Sequence, residues 1–383
     1  MNVLTHFFTL SSFCCIKVGR VDYGFFFHFV LLFLFMNIAY IIPSLKPAGP
    51  INVVFDLVRL MLSHGHQCDV YYFDDLNIDN YFPCPVHRIS LSSKIEFDKY
   101  DVVHSHGLRP NIYIFRKKPL RCKKTKFIST FHNYVFDDFC MKYGKLKGCI
   151  GGIVFLLTAM RHDKIVALSE DAQRYYRKWY GKKKVSYIYN TRIIDTTAQL
   201  SDEERNEVLG FKGNGTLIGM NGSILYRKGV DIILRSLQHL PDRYKLFLVG
   251  DGGDMDKMKS IANELNINDR VYFAGSKPDA YRYLPYYDLY ALPSRSEGFP
   301  LALLEAACIG RKTVCSDLAI LKEAFTPDEL VMFHLPDEKD LASAILKAES
   351  RNDLEKNIQE KFNSKYTPEH FYQNHLKLYT ETN

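Results

Sequence analysis

The feature that most constrains the fold is an alternation of short apolar runs with segments of helical periodicity, which continues from Met36 to the carboxyl terminus. Each apolar run has the length of a strand. The segments between them, such as Ile51–His64 with its apolar residues at helical spacing, are long enough for a helix. Alternation of this kind is typical of βα units, which form parallel sheets covered by helices. The sequence therefore predicts an α/β protein.

The predicted strands fall into two groups. They are Asn37–Pro43, Cys68–Phe73, Asp101–His104, Phe127–Thr130, Ile165–Leu168 and Val185–Tyr189 in the first half, and Leu217–Met220, Tyr244–Val249, Val271–Ala274, Leu289–Leu292 and Thr313–Cys315 in the second. The length of 383 residues also favours two domains over one. We predict two doubly wound halves that face each other across a cleft and that divide between Asn190 and Gly215, around the charged run Ser201–Glu207.

Polar residues follow several first-half strands at the point where each strand ends. Examples are His104–Gly107 (HSHG), His132 with Asn133, and Asn190. Because the carboxyl ends of parallel strands line the ligand crevice of an open sheet, these residues predict a binding edge. Any strand can end in a polar residue, but that explanation accounts less well for two neighbouring strands that both end in histidine.

Charge and cysteine usage argue against several classes of protein. The nine cysteines are scattered and include no C-x-x-C pair, which disfavours a disulfide framework or a zinc site. The net charge of +7 is concentrated in Arg116–Lys126 and Lys182–Lys184. Since the longer run lacks aromatic residues for base stacking, nucleic acid is not a predicted partner. The basic runs are either solvated faces or surfaces that attract anionic lipid headgroups.

Residues Gly24–Ile42 (GFFFHFVLLFLFMNIAYII) form an apolar stretch long enough to cross a bilayer. Lys17 and Arg20 precede it, as in a signal peptide, but no small-residue cleavage site follows. We interpret the stretch as a first strand that begins after Met36, joined to a leader of residues 1–35. The leader is predicted to be either an upstream extension that is not normally translated or a membrane tether.

The stretch Glu297–Gly310 (EGFPLALLEAACIG) combines a helix with two carboxylates. Pro300 suits the first position of a helix, and the helix is apolar on nearly all sides, which predicts burial. Within it Glu305 is the only charged residue. A buried carboxylate needs hydrogen-bond donors, which either a ligand's hydroxyl groups or an ion pair with a neighbouring helix would supply. Glu297 lies just before the helix, where free N–H groups favour a phosphate.

The loop Met220–Gly229 (MNGSILYRKG) follows a strand and opens a helix. Gly222 permits a tight turn, and Arg227 and Lys228 lie at the predicted crevice. Two adjacent cations suit a diphosphate, although a solvated pair is the alternative interpretation. The loop is not a Walker A motif, because the required G-K-S/T is absent.

The loop Val249–Asp254 (VGDGGD) has the outline of a dinucleotide fingerprint but fails it, because Met255 stands where the third glycine is required. An NAD-dependent oxidoreductase is therefore disfavoured. No D-x-D motif follows a strand, so a bound diphosphate would be neutralised by Arg227, Lys228 and helix dipoles, with no metal ion expected.

Glu297 and Glu305 form an E-x7-E motif, and Ser296–Ala306 (SEGFPLALLEA) resembles the signature of the retaining glycosyltransferases of family 4, which have the GT-B fold. The resemblance extends from about Met36 to the carboxyl terminus and is strongest over Leu217–Leu321. It implies two Rossmann-like domains with the active site between them.

The resemblance also implies a role for each matched residue. Glu297 would contact hydroxyl groups of the donor sugar, Glu305 would hold the ribose, and His106 would lie near the acceptor. The residues assigned to donor binding are Gly49, Gly222, Gly298, Phe299, Pro300, Leu301 and Glu305, and those assigned to catalysis are Glu297, His132, Arg227 and Lys228.

Three positions depart from the family pattern. The loop after the first strand usually has two glycines but reads Ala48–Pro50 (AGP). Ser223 stands where an arginine often follows the glycine equivalent to Gly222, which leaves Arg227 to supply that charge. The segment Thr191–Ile194 (TRII) lies where the family often has a glycine. These departures affect the geometry of the site more than the family resemblance.

The predicted organisation is a leader (1–35), an acceptor-side Rossmann-like domain (36–195), a nucleotide-sugar-binding Rossmann-like domain (196–366) and a last helix (367–383) that crosses back onto the first domain. The predicted activity is retaining transfer of a sugar from a nucleotide-diphosphate sugar, with UDP favoured, to a glycan or lipid-linked acceptor in cell-surface polysaccharide or lipopolysaccharide synthesis.

No cofactor or metal is expected. The predicted location is the cytoplasm, with peripheral attachment of Arg116–Lys126 to the inner face of the plasma membrane. The alternatives are a nucleotide-sugar epimerase or hydrolase on the same fold and a non-catalytic nucleotide-sugar-binding protein.

Overall fold

The computed structural model describes residues 35–74, 82–120, 122 and 124–381. The predicted leader lies outside this part of the chain, apart from Phe35. Within the described ranges the chain forms two parallel β-sheets, each with apolar cores on both of its faces. The predicted α/β class is therefore confirmed.

The first sheet contains seven strands within the described residues. In chain order, β1 to β7 span Asn37–Ile42, Gln67–Tyr72, Val86–Arg88, Val102–His106, Lys126–Thr130, Lys164–Ala167 and Val185–Tyr187. Their order across the sheet is β3-β2-β1-β4-β5-β6-β7. Ile38 and Tyr40 of β1 enter the core on one face, and Ala39 and Ile41 enter the core on the other. Burial on both faces explains why this strand is a continuous apolar run.

The second sheet contains six strands in the same part of the chain. In chain order, β8 to β13 span Thr216–Asn221, Tyr244–Val249, Val271–Gly275, Leu289–Leu292, Thr313–Ser316 and Val331–Phe333. Their order is β10-β9-β8-β11-β12-β13. The strand order reverses between β1 and β4 in the first sheet and between β8 and β11 in the second. Ligands bind at such switch points, outside the carboxyl ends of the strands.

Helices cover the sheets and connect the strands. In the described chain α1 to α13 span Gly49–Ser63, Leu108–Lys117, Val135–Tyr143, Lys145–Ala159, Glu170–Tyr180, Asp202–Lys212, Val230–Ser236, Met255–Glu264, Leu301–Ile309, Ala319–Ala324, Glu338–Ser350, Leu354–Lys365 and Pro368–Thr380. None of these described helices combines the length and the apolar character needed to cross a membrane.

Every strand predicted from the sequence is present, within two residues at each end. The sequence analysis missed β3 and β13, which have three residues each and lie at the edges of their sheets. Strands this short carry little periodicity, although β7, which is equally short, was predicted as part of Val185–Tyr189. One boundary matters for the site: β4 continues to His106, two residues beyond its predicted end.

The last helix, α13, packs against α1 and the first sheet although it follows the second sheet in the chain. The side chain of Thr367 caps its amino terminus by accepting a hydrogen bond from the amide of His370. Tyr379 near its end contacts Tyr40 of β1 and His104 of β4 through its hydroxyl group, at 3.4 and 2.7 Å. The chain thus returns to the first sheet beneath its carboxyl edge.

Candidate active site

Two glycine loops at the ends of β8 and β9 pack directly against each other. The amide of Gly222, which has a φ of +142°, donates a hydrogen bond to the carbonyl oxygen of Val249 at 2.9 Å. A Cβ on Gly250 would lie 1.8 Å from the carbonyl oxygen of Gly222, so glycine is required there. Nothing lies within 4 Å of a Cβ position on Gly222, which leaves its backbone open to close approach by a ligand.

Two of the predicted cations lie beside the first glutamate of the E-x7-E motif. Lys228 Nζ is 2.5 Å from Glu297 Oε1, and Arg227 Nη1 is 3.8 Å from Glu297 Oε2. Ser294 Oγ donates to the same Oε1 at 2.6 Å. Because Glu297 is only 6% exposed, these donors satisfy a carboxylate that would otherwise be costly to bury. Arg227 lies farther from Glu297 than Lys228 does, so its ion pair with Glu297 is the weaker of the two.

Arg295 holds this cationic loop in place and was not assigned a role from the sequence. Its guanidinium forms a bidentate pair with Asp231, with both N–O distances 2.7 Å, and lies 4.1 Å from the centre of the Tyr226 ring. Its amide donates to the carbonyl oxygen of Arg227 at 2.7 Å. A planar guanidinium that pairs and stacks at once is a strong positional constraint.

The stretch Glu297–Gly310 places the amino terminus of helix α9 at the same edge of the second sheet. Helix α9 begins at Leu301, and Pro300 is its N-cap residue, one position earlier than predicted. Phe299 is buried against Tyr189, and its carbonyl oxygen accepts a hydrogen bond from Asn190 Nδ2 at 3.3 Å. The first amides of a helix have no partners within the helix, so this end can receive an anion.

The partner of Glu305 is neither of the two that the sequence analysis offered, which were a ligand's hydroxyl groups and an ion pair with a neighbouring helix. Arg192 Nε donates to Glu305 Oε1 at 2.8 Å, and Arg192 Nη1 lies 2.5 Å from Asp56 Oδ2. Asp56, on α1, is fully buried. The donors that the carboxylate needs therefore come from the protein, and its burial does not by itself require a ligand. The partner belongs to the segment after β7, not to a neighbouring helix.

Burial raises the pKa of both carboxyl groups in this cluster, in spite of the opposing attraction of Arg192. Asp56 Oδ1 has no hydrogen-bond partner in the described chain. One guanidinium thus serves two buried carboxylates that come from different halves of the molecule, and removing it would leave both uncompensated.

The predicted histidines come together at the carboxyl edge of the first sheet. His106 Nδ1 lies 2.9 Å from His132 Nε2. His106 is fully buried, and its Nε2 has no hydrogen-bond partner among the described residues. Burial lowers the pKa of His132 to about 4 and that of His106 well below its usual range. Both imidazoles are therefore neutral at physiological pH.

The carboxyl edges of the two sheets meet at Gly298. A Cβ on this residue would lie 1.6 Å from the carbonyl oxygen of His132, so glycine is needed for the two edges to touch. Glu323 of α10 adds a second junction, because its carboxylate accepts hydrogen bonds from the amides of Glu170 and Asp171 at 2.7 Å each. Gly49 begins α1 and faces open space rather than another site residue.

Two family models match the chain in sequence. The model described as Glycosyltransferase Family 4 matches residues 48–192, and the model described as Glycosyl transferases group 1 matches residues 201–364. The O-antigen biosynthesis glycosyltransferase WclY of Escherichia coli is 30% identical over 300 residues, which cover 76% of this chain and 82% of WclY. The chain belongs to this family of glycosyltransferases.

Further comparisons agree with this assignment. This glycosyltransferase is 25% identical over 244 residues to the UDP-Gal:alpha-D-GlcNAc-diphosphoundecaprenol alpha-1,3-galactosyltransferase of Escherichia coli, covering 60% of this chain and 61% of that one. The crystal structure of Anabaena HepE in complex with UDP and glucose superposes with a TM-score of 0.73 at 17% identity, covering 90% of this chain and 99% of HepE. The predicted GT-B fold is confirmed.

Several residues of the glycosyltransferase's site were not found from the sequence. Asp56 is the clearest case with a usable signal, because it is an acidic residue surrounded by apolar positions of a buried helix. Arg192 was noted only as a departure from the family pattern. Ser294 carried no signal beyond its position after a strand.

Proposed function

We propose that this glycosyltransferase moves a sugar from a nucleoside-diphosphate sugar, with UDP preferred, to a glycan or lipid-linked acceptor, with retention of anomeric configuration and without a metal ion. The names of its relatives support the class of donor and acceptor: WclY acts in O-antigen biosynthesis, the galactosyltransferase uses UDP-Gal and a diphosphoundecaprenol-linked sugar, and HepE was crystallised with UDP. Cell-surface polysaccharide synthesis at the cytoplasmic face of the membrane fits these relatives.

The observation that carries the proposal is the convergence of three anion-stabilising features opposite a neutral histidine. Arg227 and Lys228, the open backbone at Gly222 and the amino terminus of α9 all lie at the carboxyl edge of the second sheet. Negative charge grows on the diphosphate as the glycosidic bond to it breaks. A preorganised donor aimed at such charge contributes about 3 kcal/mol to lowering the barrier.

The opposite edge suits the sugar. His132, beside Gly298, is neutral and can hydrogen-bond a hydroxyl group without placing a second cation near the developing positive charge on the anomeric carbon. We assign Glu297 to the donor-sugar hydroxyls and Glu305 to the ribose, with Arg192 holding Glu305 in position. We assign no covalent nucleophile, so departure and attack on the same face of the sugar is the proposed route to retention.

We infer metal independence from Arg227 and Lys228, the two cations at this edge of the second sheet. The cations named above take over the charge compensation that a divalent ion would provide. Activity that survives EDTA would support this part of the proposal, and full loss that Mg²⁺ restores would refute it.

The first test is ligand-dependent stability. A ligand present at 100 times its Kd stabilises the folded state by about 2.7 kcal/mol, and we expect UDP, but not ADP or NAD, to do so. Glu305→Gln should remove the UDP shift, whereas Glu297→Gln should keep it and lose turnover. NMR of the first-formed product should show the donor's anomeric configuration; an inverted product, or sugar released to water in the presence of acceptor, would overturn the proposal.

A further inference from the structure

The helical hairpin formed by α3 and α4 presents an apolar face to solvent. The exposed side chains on α4 and just after it are Leu146, Ile150, Ile153, Val154, Leu157 and Met160. At 100° per residue these positions fall within an arc of about 120°, which is one continuous stripe. Leu146 is 77% exposed and Ile150 56% exposed. Contiguous apolar surface of this kind marks an interaction site.

The other side of α4 is already occupied, so the exposed stripe is a second apolar face rather than a loosely packed core. Gly148, Gly152 and Phe155 are turned inward. A Cβ on Gly148 would lie 2.5 Å from the Cα of Cys140, so α3 and α4 pack too closely for any residue but glycine. The hairpin is therefore tightly held, and the stripe cannot turn inward without breaking this packing.

Cations stand at both ends of the stripe. Lys142, Lys145 and Lys147 are exposed around the turn between the two helices. At the other end Lys184 Nζ donates to the carbonyl oxygen of Met160 at 2.6 Å. The adjoining cleft, of about 640 Å³, is lined by five basic residues and two acidic ones: Lys164, Arg177, Lys182, Lys183, Lys184, Asp163 and Glu381. Two further carboxylates, Asp137 and Asp138, lie on the first turn of α3.

We propose that the α3–α4 face docks on an anionic lipid bilayer, with the stripe inserted among the acyl chains and the flanking lysines at the headgroups. A helix with an apolar face and a basic border lies in the membrane interface, buried by about 5–10 Å. Each basic residue near an anionic surface adds about 1 kcal/mol. Protein partners and self-association would not need cations at both ends of the stripe.

This surface differs from the basic run Arg116–Lys126 that the sequence analysis favoured for the membrane. Two cations of that run point inward: Lys118 pairs with Asp163 at 2.8 Å, and Lys126 is buried with its Nζ 2.8 Å from the carbonyl oxygen of Leu378. The run therefore offers less free charge than its sequence indicates. The sequence analysis proposed only basic residues for membrane contact and did not identify the apolar stripe.

The test uses the full chain and vesicles of equal parts phosphatidylglycerol and phosphatidylcholine. We expect the chain to bind these vesicles in a flotation assay and not to bind vesicles of phosphatidylcholine alone. Ile150→Glu and Leu157→Glu change side chains that are exposed in the protein. Each should lower the partition coefficient about tenfold, because it removes an apolar side chain that would be buried in the bilayer and adds a charge. The matched control is Leu346→Glu, an exposed leucine of α11, which should bind as the unaltered chain does.

Retention of the UDP-dependent stabilisation in each variant would show that folding is intact. Vesicle binding that Ile150→Glu and Leu157→Glu both leave unchanged would place the contact elsewhere and overturn the proposal. The same holds if Ile150→Glu leaves vesicle binding unchanged but abolishes a dimer seen by analytical ultracentrifugation, since the stripe would then join two copies of the chain.

Discussion

The two strand edges that form the cleft carry different kinds of polar group. On the edge of the second sheet, Lys228 and Arg227 lie 2.5 and 3.8 Å from the carboxylate of Glu297. On the edge of the first sheet, His106 and His132 form a hydrogen-bonded pair that burial keeps neutral. One edge holds permanent charges that compensate one another, and the other holds neutral groups that can donate or accept a hydrogen bond.

This difference matches the needs of the proposed donor, which has two chemically distinct ends. A diphosphate leaves with increasing negative charge, which only permanent cations and helix dipoles stabilise at every stage. A sugar hydroxyl needs partners whose donor and acceptor roles fit its own, and a neutral imidazole provides one of each. The difference between the polar groups of the two edges is therefore what the bond between sugar and phosphate in the proposed donor requires.

Arg192 links the two halves of the molecule through α1 and α9, and its removal should have the largest effect. Arg192→Ala would leave the buried carboxylates of Asp56 and Glu305 without their shared counter-ion. We expect a loss of about 4 kcal/mol in the free energy of unfolding, measured by urea denaturation. Arg205→Ala, which breaks an exposed pair with Asp202, is the matched control and should cost less than about 1 kcal/mol.

The pH dependence of this loss has a definite sign. The pKa values of Asp56 and Glu305 are raised in the folded state, so the folded state holds more protons than the unfolded state above the usual carboxyl range. Stability from these groups is therefore largest at low pH and falls as pH rises through the window between the unfolded and folded pKa values. Without Arg192 the pKa values rise further, so the deficit of the variant should grow as the pH rises above the usual carboxyl range. A deficit that shrinks over this range would contradict the arrangement.

Lys228→Ala tests the charged edge alone. We expect kcat to fall about 100-fold, because a preorganised cation near the leaving diphosphate is lost and Glu297 loses its closest partner. Steady-state kinetics with the donor sugar nucleotide would measure the effect. Lys339→Ala, an exposed lysine on α11, controls for a simple change in net charge. A raised KM with an unchanged kcat would mean that Lys228 binds the ground state and the transition state equally, and the proposed contrast between the edges would weaken.

The sequence predicted the sheets of both domains because long strands buried on both faces are nearly continuous apolar runs, as in β1 and, apart from Lys245, β9. It predicted the proximity of Glu297, Arg227 and Lys228 through strand ends that share one edge. It could not predict which groups would pair, because Arg192 is 136 residues from Asp56 and 113 from Glu305. A long side chain in a segment without regular structure has no periodicity to reveal where it points.

The smallest predicted effect concerns the neutral edge. His106 Nε2 is buried without a partner, and an orphaned N–H costs more than an unused lone pair, so we assign the proton of His106 to Nδ1. His106 then donates to His132 Nε2, which places the proton of His132 on Nδ1 and leaves that N–H for a ligand. His106 is in this view a positioning residue for His132.

His106→Ala should therefore lower kcat about tenfold with little change in the donor KM, since a misoriented neutral donor costs about 1.4 kcal/mol. His106→Asn should recover most of the activity, because its side-chain amide can donate from near the former Nδ1 position.

Since the pKa of His132 is about 4, the acid limb of kcat/KM should lie below about pH 5 in the unaltered enzyme, well under the usual range for histidine. An acid limb near pH 6.5, or an asparagine variant as impaired as the alanine variant, would show that the histidine pair does not work as a neutral relay and that the two edges are less different than their burial implies.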